Sequence, residues 1–123
     1  MGQKSVLIVD DSAVSRMVLG RALTEQGYHV CAVNGGNEAL DWIDRHPPAD
    51  LVITDLHMPD VDGLHLIRYL RARRGYTTLP IFVLTAGAED QEKQQVREAG
   101  ATGWIVKPFD TAKLVNAIER VAQ

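Results

Sequence analysis

Three carboxylates stand directly after two apolar runs of the sequence. Asp10 and Asp11 follow the run 6–9, and Asp55 follows the run 51–54. Carboxylate oxygens suit a hard divalent ion, and Mg²⁺ characteristically takes one or two of them together with water and phosphate oxygens. Asp10 or Asp11 alone would more simply cap the following helix. A metal site is therefore predicted only if all three acids meet at one place.

A hydroxyl and an ammonium stand after two further apolar runs. Thr85 follows the run 81–84, and Lys107 follows the run 103–106. In phosphoryl transfer, a cation and a metal neutralise the phosphoryl oxygens, a hydroxyl donates a hydrogen bond, and an acid can serve as the nucleophile. Acids, a hydroxyl and a lysine at one place would therefore indicate phosphoryl-transfer chemistry.

The elements that must bring these residues together can be read from the hydrophobic pattern. Five apolar runs alternate with amphipathic stretches, and their Val/Ile/Leu-rich character suits strands buried on both faces of a parallel sheet. The predicted fold is α/β: a three-layer (βα)5 sandwich around a five-stranded parallel sheet. Right-handed crossovers place the carboxyl ends of the strands at one edge. In the common order 2-1-3-4-5, the first and third strands flank the ligand-binding switch point.

Helical periodicity fills the intervals between the runs. The first helix is predicted from apolar residues spaced three and four apart, and Gly27 can close it; these residues are Val14, Met17, Val18 and Ala22. The last helix is predicted to begin after Asp110 as its N-cap, from an apolar stripe of Leu114, Ala117, Ile118 and Val121. Four arginines near the end of the third helix are expected to form a solvated face or, alternatively, a surface for an acidic partner: Arg68, Arg71, Arg73 and Arg74.

The fourth helix, at about 90–99, differs from the others because Val96 and Ala99 are its main apolar anchors. Either it is a surface helix with a thin apolar stripe, or it is an element that is free to shift.

Composition limits the function classes. The chain has 123 residues and a net charge of −3, which fits one domain and disfavours nucleic acid as a direct ligand. The single cysteine, Cys31, excludes an internal disulfide and a thiolate zinc cluster and fits a reducing cytoplasm. A helix needs about 20 apolar residues to span a bilayer, and no apolar run in this sequence approaches that length, so no membrane partner is expected.

Four ordered motifs carry a family resemblance. These are Val9-Asp10-Asp11, the stretch 53–63 around Asp55, Leu84-Thr85-Ala86, and Val106-Lys107-Pro108-Phe109. Together they resemble the receiver domain of bacterial two-component response regulators, the CheY-like fold. The resemblance spans nearly the whole chain, so residues 1–123 are expected to form a single receiver domain with no output domain.

The resemblance implies a role for each site residue. Asp55 is the phosphoacceptor, Lys107 contacts the phosphoryl oxygens, and Thr85 is the switch hydroxyl. Mg²⁺, or Mn²⁺ in its place, is implied as the cofactor, held by Asp11, by Asp55, by the backbone carbonyl of His57 and, through water, by Asp10. Trp104 takes the place of the switch aromatic, where Tyr or Phe is commoner. The Lys107–Pro108 bond is expected to be cis.

Two further positions are implied to modulate the lifetime of the phosphate. His57 lies two residues after Asp55, and Gly87 lies two residues after Thr85. His57 either orders or blocks the attacking water, or is a solvent-facing loop residue without effect. Trp104 could likewise be an ordinary core aromatic.

The resemblance also implies partners and a mode of action. A histidine kinase or a histidine phosphotransfer protein would donate the phosphoryl group. The face formed by the fourth helix, fifth strand and fifth helix would then change and signal to a downstream target, to an output domain or to a second copy in a homodimer. The domain would also promote its own dephosphorylation, without being a turnover enzyme on a separate substrate.

Two other functions that place similar residues at strand ends fit this sequence less well. A haloacid-dehalogenase-type phosphohydrolase needs a second Asp two residues after the nucleophile, where this chain has His57, and it needs a cap domain. A flavodoxin-like cofactor binder needs a Ser-, Thr- or Gly-rich phosphate loop after the first strand, where Asp10 and Asp11 would repel a phosphate. Neither a G-x-G-x-x-G motif nor a P-loop occurs.

Overall fold

The computed structural model describes residues 3–87 and 90–121. Within these ranges, strands and helices alternate from the first element to the last. The strands are β1 Ser5–Val9, β2 His29–Val33, β3 Leu51–Asp55, β4 Ile81–Thr85 and β5 Gly103–Val106. The helices are α1 Ala13–Glu25, α2 Gly36–Arg45, α3 Gly63–Arg71, α4 Asp90–Ala99 and α5 Thr111–Val121.

The five strands form one parallel sheet in the order β2-β1-β3-β4-β5. Its side chains alternate between two apolar clusters, because successive residues of a strand point to opposite faces. One cluster, which includes Leu7 and Val52, packs against α2, α3 and α4. The other, which includes Ile8 and Ile53, packs against α1 and α5. The predicted three-layer (βα)5 sandwich is confirmed.

The predicted first helix is present, but the apolar residues whose spacing indicates it are not the ones that α1 buries. Leu19 and Leu23 are fully buried, whereas Val14 is 66% exposed and Met17 59% exposed. The spacing of three and four is common to both faces of this helix, so periodicity did not distinguish them. In α5, Leu114 and Ile118 of the predicted stripe are buried, and Val121 is exposed.

The ends of the helices follow ordinary capping chemistry. The side chains of Ser12 and Asp62 accept backbone hydrogen bonds at the starts of α1 and α3. Asp110 does the same for the first turn of α5, as predicted, by accepting from the N–H groups of Ala112 and Lys113. Gly27 follows α1 with a φ of 93°, a conformation that glycine adopts without strain.

The four arginines at the end of α3 form the predicted solvated face only in part. Arg71 donates to the carbonyl oxygens of Gly100, Tyr76 and Leu79, so it joins α3 to two loops. Arg73 pairs with Asp44 of α2 at 3.1 Å. Arg68 and Arg74 are exposed. No helix among the described residues is long and apolar enough to span a membrane.

Candidate functional site

The three acids meet at the carboxyl edge of the sheet, where β1 and β3 lie side by side. Asp55 ends β3, and Asp10 and Asp11 follow β1 directly. One carboxylate oxygen from each of the three lies within 4.8 Å of the others. This convergence is the arrangement that the motifs predicted.

The three acids differ in exposure and in their partners. Asp10 is completely buried and accepts from the Ser12 N–H at 2.9 Å, whereas Asp11 is exposed. Asp55 is nearly buried, and its Oδ1 accepts from the Leu56 N–H at 3.0 Å. Asp11 is thus the acid most open to an incoming ligand.

Lys107 connects the ends of the outer and central strands. It follows β5, and its Nζ lies 3.0 Å from Asp10 Oδ2 and 3.3 Å from Asp55 Oδ2. Its backbone N–H donates to the Thr85 carbonyl, and the peptide bond to Pro108 is cis, as expected. The ammonium therefore neutralises part of the charge that the two acids bring together.

These contacts shift the acid–base behaviour of the site. Burial raises the pKa of the Asp55 carboxyl, the charge of Asp10 raises it further, and Lys107 opposes both. For Lys107, burial of the ammonium lowers the pKa, but the hydrogen bond to Asp10 and the charge of Asp55 outweigh burial and leave the pKa raised. Asp55 is thus held in an unfavourable charge environment when no further cation is present.

A glycine supports the backbone below Asp55. A Cβ on Gly63, the first residue of α3, would lie only 2.6 Å from the Asp55 carbonyl oxygen. The Gly63 N–H also donates to the Leu56 carbonyl at 2.8 Å. A side chain at this position would displace the loop that follows the acceptor.

Thr85 lies at the end of β4, the strand next to β3. Its side chain is nearly buried, and its hydroxyl donates to the Gly87 carbonyl at 2.7 Å. The hydroxyl is therefore engaged within its own loop and does not share the contacts of Asp10, Asp55 and Lys107. Gly87 itself is exposed and has open space where a Cβ would be.

His57 reaches away from the acid cluster toward α4. Its Nε2 lies 2.8 Å from Glu92 Oε2, and the two side chains are 70% and 27% exposed. The sequence did not single out Glu92, because one acid in a charged surface helix carries no distinguishing signal.

Trp104 lies in β5 beneath α4 and is half-buried against the core. Lys93 Nζ and Arg97 Cζ each lie 5.4 Å from the centroid of its ring. Both cations belong to α4, so the indole contributes cation–π contacts to the hold on a helix with few apolar anchors.

Comparison with known proteins agrees with this geometry. The family model of the response regulator receiver domain matches residues 6–119. The transcriptional regulatory protein PdtaR of Mycobacterium tuberculosis is 39% identical over 117 residues, covering 94% of this chain and 55% of that protein. A chemotaxis protein CheY homolog of Campylobacter jejuni is 33% identical, covering 94% of this chain and 90% of that protein.

Solved structures give the same result. Chemotaxis protein CheY4 of Vibrio cholerae has a TM-score of 0.92 and 34% identity, covering 98% of this chain and 99% of that one. The receiver domain of sensor histidine kinase PA1611 from Pseudomonas aeruginosa has a TM-score of 0.87 and 29% identity, covering 98% of both chains. That structure holds a magnesium ion coordinated in its active-site cleft.

The chain spans about half the length of PdtaR, the first curated relative above, and nearly all of the CheY homolog. The family model matches residues 6–119, and the relatives and solved structures described above cover at least 94% of this chain. The chain therefore belongs to the response regulator receiver domain family.

Proposed function

We propose that this chain is a phosphorylatable signalling switch whose phosphoacceptor is Asp55. The observation that carries the proposal is the position of Lys107, whose ammonium contacts both Asp10 and Asp55 at the edge where Asp11 lies open. Phosphorylatable switching is the known role of the receiver family to which the chain belongs.

Asp55 would act as a nucleophile toward a phosphohistidine. Its Oδ2 forms the new O–P bond while the P–N bond of the donor breaks, and the electron pair of that bond stays on the imidazole nitrogen, which then takes up a proton. Oδ2 is the better candidate oxygen because it already faces the Lys107 ammonium. Hydrolysis of the same O–P bond by water would return the resting carboxylate.

Lys107 and Thr85 would stabilise the transferred group. The ammonium lies 3.3 Å from Asp55 Oδ2, close enough to neutralise phosphoryl oxygens that develop there. Thr85 would donate to a phosphoryl oxygen only after its hydroxyl leaves the Gly87 carbonyl. Movement of Thr85, with Trp104 as the aromatic partner under α4, is therefore the proposed conversion step.

The three acids fit a divalent cation of the Mg²⁺ or Mn²⁺ type. One oxygen from each acid lies within 4.8 Å of the other two, and small side-chain movements would bring all three to coordinating distance of a hard ion. Asp11, Asp55 and the His57 carbonyl are the proposed direct ligands, and Asp10 the ligand through water, since Asp10 is buried and already paired with Lys107. When bound, the ion would neutralise phosphoryl charge.

His57 and Gly87 are the proposed modulators of phosphate lifetime, because both lie on loops that follow Asp55 and Thr85 and both are exposed to water. The domain would promote its own dephosphorylation and would not turn over a separate substrate.

The proposed partners follow from this chemistry. A histidine kinase or histidine phosphotransfer protein would supply the phosphoryl group in the cytoplasm, where ATP is available. A target protein, an output domain or a second copy would read the α4-β5-α5 face. Relatives of this chain include the sensory/regulatory protein RpfC of Xanthomonas campestris and the regulator NtrC of Proteus hauseri. We propose residues 1–123 as one receiver domain.

Incubation with acetyl phosphate and Mg²⁺, followed by intact mass measurement, tests the proposal. The parent protein should gain one phosphoryl group that is lost in mild base, as an acyl phosphate is. Asp55→Asn should gain none, because the side-chain amide of asparagine does not attack the phosphorus atom of acetyl phosphate. Asp41→Asn, which makes the same change on the surface of α2, should behave as the parent does.

Two results would contradict the proposal. Full phosphorylation of Asp55→Asn would move the acceptor to another residue. Steady release of phosphate from acetyl phosphate by Asp55→Asn would indicate a phosphohydrolase with a different nucleophile.

A further inference from the structure

A side-chain contact between His57 and Glu92 joins two segments that are distant in the sequence. His57 belongs to the loop that follows Asp55, and Glu92 is the third residue of α4. At 2.8 Å this is a full hydrogen bond, and it is an ion pair when the imidazole is protonated. It ties the acceptor loop to the first turn of α4.

The other described contacts that keep α4 in place are few, so one hydrogen bond can contribute a substantial share of them. Only Val96 and Ala99 are buried, and both lie in the second half of the helix. Lys93 and Arg97 add their cation–π contacts with Trp104. Glu92 therefore supplies the contact nearest to the start of the helix among those that the structure describes.

Movement of Thr85 would break a contact that lies close in sequence to the start of α4. The Thr85 hydroxyl donates to the Gly87 carbonyl, and the Gly87 N–H lies 3.3 Å from the same hydroxyl oxygen. Drawing this hydroxyl to a phosphoryl oxygen removes the donor from Gly87, which lies three residues before the first residue of α4. A contact that fixes the first turn of α4 opposes this rearrangement.

We propose that Glu92 is a positioning residue of the phosphoacceptor site, which ties the His57 loop to α4 and holds the site in its resting arrangement. This inference rests on the proposed function and extends it to a residue that touches none of the reacting atoms. Breaking the contact should favour the converted arrangement, and so tighten the binding of a phosphoryl analogue.

The expected size of the effect is modest because His57 is largely exposed. Exposed ion pairs contribute about 0.2–1 kcal/mol, which corresponds to a change of about 1.4–5-fold in an equilibrium constant. A shift in that range is measurable when the variants are compared side by side.

The test is a titration with beryllofluoride in the presence of saturating Mg²⁺, followed by tryptophan fluorescence. Glu92→Ala should lower the half-saturating concentration by about 1.4–5-fold relative to the parent. Glu98→Ala is the matched control, since it removes the same charge from an exposed position of the same helix, where the partner is Gln94. This control should leave the half-saturating concentration unchanged.

A double-mutant cycle separates positioning from a general charge or helix effect. His57→Ala should produce the same shift as Glu92→Ala, and the double variant should shift no further, because one contact can be broken only once. His57→Lys, which restores a cation opposite Glu92, should return the half-saturating concentration to the parent value or above it.

The outcomes are distinguishable. If Glu92→Ala behaves as Glu98→Ala does, or if its effect adds fully to that of His57→Ala, Glu92 has no positioning role. If the parent itself neither responds to beryllofluoride nor accepts a phosphoryl group, the proposed function fails, and this inference fails with it.

Discussion

At the scale of single residues, the site holds negatively charged groups close together, and their repulsion costs free energy unless a cation binds. Asp10 is buried beside Asp55, and one ammonium, that of Lys107, serves both carboxylates. This environment raises the pKa of Asp55, with burial as the main cause and the charge of Asp10 as the next. A protein that keeps such an arrangement has stability to gain from an added cation.

Replacing the acceptor should therefore stabilise the fold in the absence of divalent ions. Asp55→Asn removes a buried charge but keeps an oxygen that can accept from the Leu56 N–H. In buffer with EDTA at pH 7, the variant should unfold at a higher urea concentration than the parent. Asp41→Asn, an exposed change of the same type, should stay within about 0.5 kcal/mol of the parent in free energy of unfolding.

The pH dependence has a defined sign. Because the folded pKa of Asp55 is raised, the native state binds this proton more tightly than the unfolded state, so the parent loses stability as pH rises from 3.8 through the folded pKa. The advantage of Asp55→Asn should be full above the folded pKa and should shrink as pH falls through the folded pKa toward 3.8. An advantage that is constant from pH 7 to pH 4 would show that charge is not its cause.

At the scale of elements, α1 shows how a helix can carry two apolar stripes and bury only one. Leu19 and Leu23 pack against the sheet, while Val14, Met17 and Val18 face outward. The exposed stripe runs toward the end of β5, where Val14 and Val18 line an open cavity with Pro108 and Phe109. Burial in this helix was decided by the sheet and by α5, not by the helix itself.

Two substitutions in α1 should consequently have very different costs. Leu19→Ala should lower the free energy of unfolding by about 2–5 kcal/mol, because it leaves a cavity in a fully buried position. Met17→Ala should change it by less than about 0.5 kcal/mol, because Met17 is exposed. Urea unfolding of both variants measures the difference, and similar costs would mean that the buried face is assigned wrongly.

At the scale of the whole molecule, metal binding and folding should be linked, since the three acids come from positions 10, 11 and 55 and meet only in the native state. A ligand that binds only the native state stabilises it by RT ln(1+[L]/Kd), or about 2.7 kcal/mol at a hundredfold excess over Kd. Mg²⁺ should therefore raise the melting temperature of the parent in a concentration-dependent way.

Asp11→Ala should remove most of that gain, because it deletes the exposed acid of the cluster and leaves the buried pair of Asp10 and Lys107 in place. Its melting temperature in EDTA should stay close to that of the parent. A parent melting temperature that is indifferent to Mg²⁺ would count against a metal site at these acids.

The sequence by itself determined the strands, their alternation with helices and the residues at the strand ends. Continuous apolar runs identify buried parallel strands, and parallel strands bring their carboxyl ends to one edge whatever the packing around them. Asp10, Asp11, Asp55, Thr85 and Lys107 were thus identifiable by type and position. The thin anchoring of α4 by Val96 and Ala99 was also readable, because a helix with few apolar residues has few to bury.

Only the tertiary structure decided which faces and which surface charges are used. Two apolar stripes of α1 have the spacing of a buried face, and packing against the sheet and α5 determines which of them is buried. Arg71 donates to three carbonyl groups, two in the loop that follows α3 and one in the distant loop after α4, and Glu92 pairs with His57 across a long sequence interval. Charged side chains on helices look alike in a sequence, since their role depends on what lies within about 3 Å of them in space.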